Sequence, residues 1–370
     1  MILGIDPSAH IETCAAGARF FVRGEEVEPI SYIHDHNGVS MMRLRLWVDP
    51  YDGERKPYGG GSVDLEKFLL LAKEGVSKGY SILLDFHYSD FWCDPAKQPI
   101  PKAWTNLSFE ELVKTVGEYT KETLSRIKAE GIPLYAIQIG NEITNGMLWP
   151  MGKLEAEEGA SCRKGYDALC QLLRSGSLAA REVYPQAKRV IHLERSFDKA
   201  IYKEFFDQLL AHDVPFEVIG MSYYPYWHGN FDQLFENVEL MKSLYHKPIW
   251  IVETSYGFTE EPAYVEDEEW EPLVDEKIFV SDNVSRPYPL TQEGQEAFLE
   301  NLIRLSVENE VEAIFYWEPF WLPLPGLCWA TEEGQNYIHE RRATHNEWAN
   351  QCLFDYDGEA TKGFYAYSVK

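Results

Sequence analysis

The sequence predicts an α/β fold, and specifically a single (β/α)8 barrel formed by residues 1–370 as one domain. Three observations support this prediction. Eight short apolar or alternating segments have the length and residue types of strands, helical segments with a 3.6-residue apolar repeat lie between most of them, and no linker or internal repeat divides the chain. Strands and helices that alternate in this number are typical of a closed barrel with parallel strands.

The predicted strands are short and stop at polar or turn-forming residues. ILGID ends at Asp6, before a proline, and MMRLRLWV alternates between two faces. The eight predicted strands are 2–6, 41–48, 81–88, 136–139, 189–194, 217–225, 248–256 and 313–321.

The predicted helices begin at capping residues and end near glycine. Asp64 caps a helix that closes at Gly79, and Ser108 with Glu111 has the spacing of a capping box. The predicted helical segments are 30–36, 64–78, 108–130, 164–184, 200–212, 231–245 and 291–309. The remaining residues, 322–370, are expected to close the bottom or the side of the barrel.

Composition excludes some classes of function. A net charge of −26 argues against nucleic-acid binding, which needs a basic face, and against a strongly anionic substrate. Aromatic residues make up 14% of the chain, which suggests exposed rings that could stack on the C–H faces of sugars. The six cysteines lack metal-ligand spacing and are expected to be reduced or buried. No apolar run approaches the ~18 residues of a membrane span. The protein is expected to be a monomer.

Two glutamates stand where predicted strands stop. Glu142 follows the apolar run of YAIQIGNE, and Glu253 follows that of PIWIVE. Either one alone could be a helix cap or a surface carboxylate. Together they suggest the carboxyl pair of a retaining glycosidase, in which groups roughly 5 Å apart act as acid and nucleophile.

The second predicted strand carries two candidate arginines. Its alternation places Arg43, Arg45 and Trp47 on one face, so at least one arginine should point into the barrel near its upper end. For Arg45, a surface ion pair remains the alternative.

The third strand and the loop after it supply further candidates. Asp85 and His87 share a face, and His87 is either a metal ligand or, more simply, a hydrogen-bonded histidine. The loop 89–106 is rich in Pro and Trp, and long loops in compact domains tend to be functional. Trp92 and Trp104 are therefore either sugar platforms or buried anchors of this loop.

Six segments in order resemble one known family. They are DFHYSDFWCDPAKQ, IQIGNEITNGMLWP, MSYYPYWHG, IVETSY, YWEPFW and NEWANQCLFDYDG. Together they resemble glycoside hydrolase family 53, the endo-β-1,4-galactanases that act on type I arabinogalactan. The resemblance extends from Gly4 to about Gly358 and implies a retaining hydrolase with a barrel fold.

The resemblance assigns roles to residues of this chain. It implies that Glu142 is the acid/base, Glu253 the nucleophile, and that Asn141 bonds the sugar 2-hydroxyl. It further implies that Arg45 and Tyr223 or Tyr224 keep the nucleophile ionised. Trp317 is implied as the platform under the sugar at the cleavage point, with Asp85 and His87 lining the same subsite.

The chain also departs from the family. Bacterial members often hold calcium between the loops after strands seven and eight, but the acidic residues 259–289 lack the alternating ligand pattern. A structural calcium site there stays an alternative to a solvated acidic loop, and no cofactor is expected to be required. The same loop carries Tyr264 and Trp270, so product length could differ. No leader peptide is visible, which implies a cytoplasmic protein if Met1 is the native start and a secreted one if a signal peptide has been removed.

Several alternatives stay open. A cytoplasmic copy would act on imported β-1,4-galacto-oligosaccharides, and a related enzyme could cut another β-linked glycan. A metal-dependent hydrolase built on His87 and His192 is a different class, disfavoured because no HxH pair is present. A non-catalytic glycan-binding barrel is disfavoured because binding alone requires neither glutamate.

Overall fold

The structure, a computed structural model, describes residues 1–156, 162–279 and 288–368. Eight strands in this part of the chain form a closed barrel in which every neighbouring pair is parallel. They are β1 (Ile2–Asp6), β2 (Val39–Leu46), β3 (Ser81–Phe86), β4 (Leu134–Ile139), β5 (Lys188–Leu193), β6 (Val218–Ser222), β7 (Ile249–Thr254) and β8 (Ala313–Trp317). Each strand pairs with its neighbours in chain order and β8 pairs with β1, which confirms the predicted barrel.

Helices cover the outside of the barrel. They are α1 (Pro29–Asn37), α2 (Leu65–Ser77), α3 (Phe109–Ala129), α4 (Tyr166–Val183), α5 (Lys199–Ala211), α6 (Phe231–Tyr245), α7 (Gln292–Glu308) and α8 (Lys362–Ala366). The predicted caps form: the Asp64 carboxylate accepts from the backbone of Lys67, and Ser108 with Glu111 makes a capping box. Because these interactions are local, the sequence predicts the ends of the helices well.

Smaller elements fill the loops. The three hairpins pair Phe20–Val22 with Glu25–Val27, Gly146–Met147 with Gly152–Lys153, and Ala263–Val265 with Glu268–Trp270. The short helices are His10–Ala15, Lys102–Trp104, Ile143–Asn145, Glu276–Phe279, Glu332–Ile338 and Ala349–Gln351. In the described residues, no helix has both the length and the apolar character needed to cross a membrane. All six cysteines are free thiols.

Several strands end earlier than predicted. β6 ends at Ser222 instead of Pro225, and β8 ends at Trp317 instead of Trp321. Proline has no N–H to donate to a neighbouring strand, and Glu318 has a left-handed backbone with φ of 47°. The apolar residues beyond these points therefore belong to loops at the mouth of the barrel.

The inside of the barrel changes from apolar to polar along the strands. An apolar layer fills the lower part and consists of Met41, Leu83, Ala136, Val190, Val218, Trp250, Val252, Ala313 and Phe315. Two residues further along four of these strands, on the same face, stand Arg43, Asp85, Gln138 and His192, all of them buried. The polar layer lies towards the carboxyl ends of the strands, and the cleft opens above it.

The segment 322–370 does more than the predicted closing of the bottom or side. Trp329, Arg342 and Trp348 reach the mouth of the barrel and line its cleft. Further on, the Tyr367 hydroxyl donates to the backbone carbonyls of Gly4 in β1 and Ile314 in β8, at 2.6 and 2.9 Å. The C-terminal segment thus forms part of the cleft wall and then runs down the side of the barrel.

Candidate active site

A cleft of about 730 Å³ lies at the carboxyl end of the barrel. Residues from the ends of most strands line it, as expected for this architecture. They include Arg43, Arg45, His87, Trp92, Asn141, Glu142, Glu194, Arg195, Phe197, Tyr224, Trp227, His228, Glu253, Trp317, Trp329 and Trp348.

Glu142 reaches the cleft because the chain turns sharply after β4. Gly140 and Glu142 both have left-handed backbones, with φ of 86° and 48°. At Gly140 an added Cβ would lie 2.8 Å from Ile143 Cγ2, so this turn requires glycine. The Ser222 hydroxyl at the end of β6 donates to Glu142 Oε1 at 2.6 Å.

Glu253 points into the barrel because β7 contains a bulge. Trp250 and Val252 both belong to the inner apolar layer, so strict alternation would turn Thr254 inward and Glu253 outward. The register of β7 shifts by one residue against both neighbours at this point. A bulge of this kind re-aims a side chain, and here it directs Glu253 to the cleft.

Arg43 is the arginine that contacts Glu253. Its Nη2 lies 2.8 Å from Glu253 Oε1, and its other partners are Asp6, Asp85, Gln138 and Asn141. The structure therefore corrects the expectation that Arg45 holds this carboxylate. Both arginines face inward, but Arg45 lies two residues further along β2 and hence higher in the barrel.

Arg45 belongs to a second ion pair at the rim of the barrel. Its Nη1 donates to Glu318, and its Nη2 donates to the Gly60 carbonyl at 2.5 Å. The guanidinium also lies 4.6 Å from the centre of the Trp92 ring. Arg45 is buried, so it does not form the surface ion pair considered as an alternative.

Of the two tyrosines at the end of β6, Tyr224 is the one at Glu253. Its hydroxyl donates to Glu253 Oε2 at 3.2 Å, whereas the Tyr223 hydroxyl donates to the Gly229 carbonyl at 3.4 Å. Tyr223 packs against Phe231 and Phe298 and is not among the residues that line the cleft. Neighbouring residues of an extended segment point to opposite sides, which separates the two hydroxyls.

Asn141, Asp85 and His87 belong to one polar network. Asn141 Oδ1 accepts from Arg43, and its Nδ2 donates to the Cys93 carbonyl at 3.0 Å. Asp85 Oδ2 contacts both Arg43 and His87 Nε2, at 2.8 and 2.9 Å. Asp85 is fully buried below the cleft and does not line it, in contrast to Asn141 and His87, which do.

A chain of hydrogen bonds connects this network to Glu142. His192 Nε2 lies 2.8 Å from the Ser222 hydroxyl, and its Nδ1 lies 3.2 Å from Gln138 Nε2. Burial lowers the pKa of His192 well below its usual value, so the ring is neutral. A neutral ring protonated at Nε2 accepts from Gln138 and donates to Ser222, which in turn donates to Glu142.

Trp92, Trp104 and Trp317 differ in whether the ring reaches the cleft. The Trp92 ring stacks on Trp329 at 5.6 Å, and its Nε1 donates to the Trp329 carbonyl, so it anchors the loop while one edge reaches the cleft. Trp104 packs edge-on against Tyr119, and the cleft-lining residues do not include it. Trp317 lines the cleft and contacts Trp321 and Trp348 edge-on.

The two glutamates have different electrostatic surroundings. Burial raises the pKa of Glu142 well above its ordinary value, and the charges of Glu253 and Glu194 raise it further. Burial also raises the pKa of Glu253, to about 7, but Arg43 and the Tyr224 hydroxyl oppose this rise. Arg43 and the Tyr224 hydroxyl thus favour the charged form of Glu253, whereas the neighbouring charges of Glu142 favour its protonated form.

The histidines proposed for metal binding use their ring nitrogens within the protein. His87 Nδ1 accepts from Trp47 Nε1 and its Nε2 contacts Asp85, while His192 is held as described above. The described residues contain no cluster of three or more His, Cys, Asp or Glu arranged to hold a metal ion. Of the loop 259–289 considered for calcium, residues 280–287 lie outside the described part of the chain.

Several residues of this site were not predicted from the sequence. Glu194 and Glu318 follow β5 and β8 just as Glu142 follows β4, so the same signal, a carboxylate after an apolar strand, marks them. Ser222, Trp227 and Trp348 carry no such signal, because a serine or tryptophan at the end of a segment is equally common in loops.

Comparisons with known proteins agree with the fold. The family model described as glycosyl hydrolase family 53 matches residues 2–367. An endo-beta-1,4-galactanase of Bacillus subtilis (strain 168) is 31% identical over 381 residues, covering 96% of this chain and 83% of that protein. The solved catalytic domain of an Ignisphaera aggregans GH53 protein has a TM-score of 0.86 and 34% identity, with 99% and 95% of the two chains covered.

A second solved structure, from work on two fungal beta-1,4-galactanases, has a TM-score of 0.75 and 25% identity and covers 99% of this chain and 98% of its own. The match to the family model over nearly the whole length, in a barrel with this cleft, fixes the relationship. The chain belongs to glycosyl hydrolase family 53 and is a glycoside hydrolase.

Proposed function

We propose that this protein is a retaining endo-β-1,4-galactanase that hydrolyses β-1,4-galactan by double displacement, with residues 1–370 forming a single catalytic domain. The substrate class rests on the similarity to the Bacillus subtilis and fungal galactanases named above. The observation that carries the mechanism is the unequal surroundings of two glutamates in one cleft, because such inequality divides the roles of acid and nucleophile.

Glu253 is the nucleophile in this proposal. Arg43 and the Tyr224 hydroxyl both contact its carboxylate and favour the charged form. In the first step a Glu253 oxygen bonds to the anomeric carbon as the bond to the leaving oxygen breaks. The Tyr224 pKa lies well above its usual value, because of burial and the Glu253 charge, so the hydroxyl remains a donor.

Glu142 is the acid and then the base. Ser222 donates to its Oε1, which leaves the proton to Oε2 for transfer to the leaving oxygen. Once Glu253 is esterified its charge is gone, and the pKa of Glu142 falls because that charge was one cause of its rise. Glu142 can then take a proton from the water that hydrolyses the intermediate.

The other residues position the sugar in this proposal. Asn141, oriented by Arg43 and by the Cys93 carbonyl, donates to or accepts from the 2-hydroxyl at the cleavage site. Trp317 lies beneath the sugar ring, and His87 and Arg45 line the same side of the cleft. Asp85 acts from below by holding Arg43 and His87 in place. Trp92 supports Arg45 and the loop wall.

Product analysis tests the proposal. Linear β-1,4-galactan and galactotetraose are incubated separately, and the products are followed by chromatography and by proton NMR of the first anomer formed. We expect a range of intermediate oligosaccharides from the polymer and the β-anomer first, because double displacement retains configuration. The α-anomer first, or no attack on either substrate, would contradict the proposal. Rapid cleavage of the tetramer alone would instead favour an oligosaccharide hydrolase.

Variants of the two glutamates test the roles. Glu253→Ala should abolish hydrolysis, by on the order of 10⁴-fold or more, with the circular dichroism spectrum unchanged. Glu142→Ala should cleave a 4-nitrophenyl galactobioside in the presence of azide at a rate close to that of the parent protein. The nitrophenolate group leaves with little help from a general acid, and azide attacks the glycosyl-enzyme without a general base. Substantial turnover of galactan by Glu253→Ala would remove Glu253 from the mechanism.

A further inference from the structure

A third carboxylate, Glu194, lies in the cleft and has no role in the mechanism above. It follows β5, only 2% of its surface is exposed, and it lines the cleft. Neither carboxylate oxygen has a hydrogen-bond partner within the described residues. Arg195 Nε forms an ion pair with Oε1 at 3.3 Å, and the Thr144 hydroxyl lies near enough to favour the charged form, but neither group reaches hydrogen-bond geometry.

A buried carboxylate whose oxygens accept no hydrogen bond is costly, even with the Arg195 guanidinium 3.3 Å away. Leaving a buried acceptor unsatisfied costs about 1–3 kcal/mol, and more for a charged group. Burial raises the pKa of Glu194 to about 7, which reflects this cost. A ligand with hydroxyl groups would supply the missing donors, because the carboxylate faces the cleft.

The position of Glu194 indicates which part of the substrate it meets. In the ring of strands, β4 with Glu142 and β7 with Glu253 divide the barrel mouth into two arcs. The arc of β8, β1, β2 and β3 carries Trp317 and His87, where the proposed function places the sugar that is transferred. The arc of β5 and β6 carries Glu194, Arg195, Phe197 and Trp227, all in the cleft wall.

The charges agree with this placement. The charge of Glu194 raises the pKa of Glu142, the proposed acid, so the two carboxyl groups lie close enough to interact. The acid protonates the leaving oxygen, and the leaving sugar therefore extends from Glu142 towards the β5–β6 arc.

We propose that Glu194 accepts hydrogen bonds from the hydroxyl groups of the sugar unit on the leaving-group side of the scissile bond, and that it is a specificity-determining residue for a carbohydrate leaving group. This inference rests on the proposed function, since it uses Glu142 as the acid. Trp227, 36% exposed in the same wall, offers an aromatic surface to that sugar.

Two substrates that differ in their leaving group test this inference. Galactotetraose has a sugar leaving group with hydroxyls, whereas 4-nitrophenyl β-1,4-galactobioside has an aryl ring without them. We expect Glu194→Gln and Glu194→Ala to lower kcat/KM about 10- to 100-fold on galactotetraose, the effect of losing a hydrogen bond to a charged group. On the aryl substrate the change should stay within about threefold.

Each variant is measured at its own pH optimum, because removing the Glu194 charge lowers the pKa of Glu142. Glu66→Gln removes the same charge from the outer surface of α2 and is the matched control. Glu194→Gln should fold, with a Tm at pH 8 equal to or above that of the parent protein, because glutamine removes a buried charge that accepts no hydrogen bond.

The outcomes separate the possibilities. An equal loss of kcat/KM on both substrates would overturn the inference, because Glu194 would then act through Glu142 or the fold. An unchanged kcat/KM on galactotetraose would overturn it as well. If the parent protein cleaves neither substrate, the proposed function itself has failed.

Discussion

At the scale of single residues, one arginine organises the site. Arg43 Nη2 lies 2.8 Å from each of three acceptors, on Asp85, Asn141 and Glu253. Burial alone would lower the pKa of Arg43, but the carboxylates of Asp85, Glu253 and Asp6 raise it above its usual value. The guanidinium therefore remains charged, and it links Glu253, the proposed nucleophile, to Asn141, the residue proposed to bind the 2-hydroxyl.

The Ser222 hydroxyl should tune the acid. It donates to Glu142 Oε1, which favours the charged carboxylate and lowers its pKa. We expect Ser222→Ala to raise the pKa of Glu142 further. In the proposed mechanism activity requires protonated Glu142 and is lost as pH rises through its pKa, so the alkaline limb of the kcat/KM profile should move to higher pH. The profile is measured on galactotetraose in buffers of constant ionic strength.

A matched control separates this effect from a general loss of a hydroxyl. Ser175→Ala removes a hydroxyl that donates to the Val113 carbonyl between α4 and α3, away from the cleft. Its alkaline limb should stay where it is in the parent protein. A limb that moves to lower pH in Ser222→Ala would contradict the assignment of Ser222 as the donor.

At the scale of elements, two irregularities place the glutamates. The left-handed turn after β4 brings Glu142 over the barrel, and the bulge in β7 turns Glu253 inward. In β7 regular alternation would turn Glu253 away from the cleft, whereas Glu142 has the inward parity of Ala136 and Gln138 and is positioned by the turn that follows β4. The irregular backbone at the ends of these strands is thus a condition for the site.

The packing of β1 against β8 makes a further prediction. Gly4 pairs with Phe315 across the two strands, and a Cβ on Gly4 would lie 2.4 Å from Phe315 Cδ1. We expect Gly4→Ala to lower the free energy of unfolding by about 1–3 kcal/mol, because the apolar layer has no room for the methyl group. Urea unfolding followed by tryptophan fluorescence measures the change.

Two further variants define this effect. At Gly53 an added Cβ meets nothing within 4 Å, so Gly53→Ala should change stability by no more than about 0.5 kcal/mol. Combining Gly4→Ala with Phe315→Leu should cost less than the sum of the two single changes, because the leucine makes room. Strict additivity would show that the strain lies elsewhere.

At the scale of the whole molecule, charge opposes folding. The chain has 60 acidic and 34 basic residues, for a net charge of −26. Like charges repel in the compact state, and salt screens them over about 10 Å at 0.1 M. The exposed ion pairs, such as Arg19 with Glu26, contribute little against this repulsion.

We therefore expect the Tm to rise when NaCl is increased from about 10 to 150 mM, because the Debye length falls from ~30 to ~8 Å. Differential scanning calorimetry at pH 7 measures it, with KCl as a control for a specific effect of sodium. A Tm that falls with salt would contradict net repulsion. Stabilisation by micromolar CaCl₂ with no response to NaCl would instead indicate a specific calcium site.

The sequence by itself determined the barrel, most helix ends and the two glutamates, together with the family that the six segments resemble. These properties follow from local patterns: apolar periodicity, capping residues, and carboxylates at the ends of strands. The bounds of β1 and α6 agree with the predicted ones residue for residue, since each is closed by turn or capping residues nearby in the chain.

Only the tertiary structure decided which polar side chains meet. Alternation placed Arg43 and Arg45 on one face, but which carboxylate lies at the height of each arginine depends on the register between strands. In this register Arg43 pairs with Glu253 and Arg45 pairs with Glu318. The same holds for the choice of Tyr224, and not Tyr223, as the partner of Glu253. It also holds for Glu194, because only the positions of all its neighbours show that its oxygens accept no hydrogen bond in the described residues. Contacts between distant segments and the bulge in β7 arise from packing of the whole barrel, which no local pattern encodes.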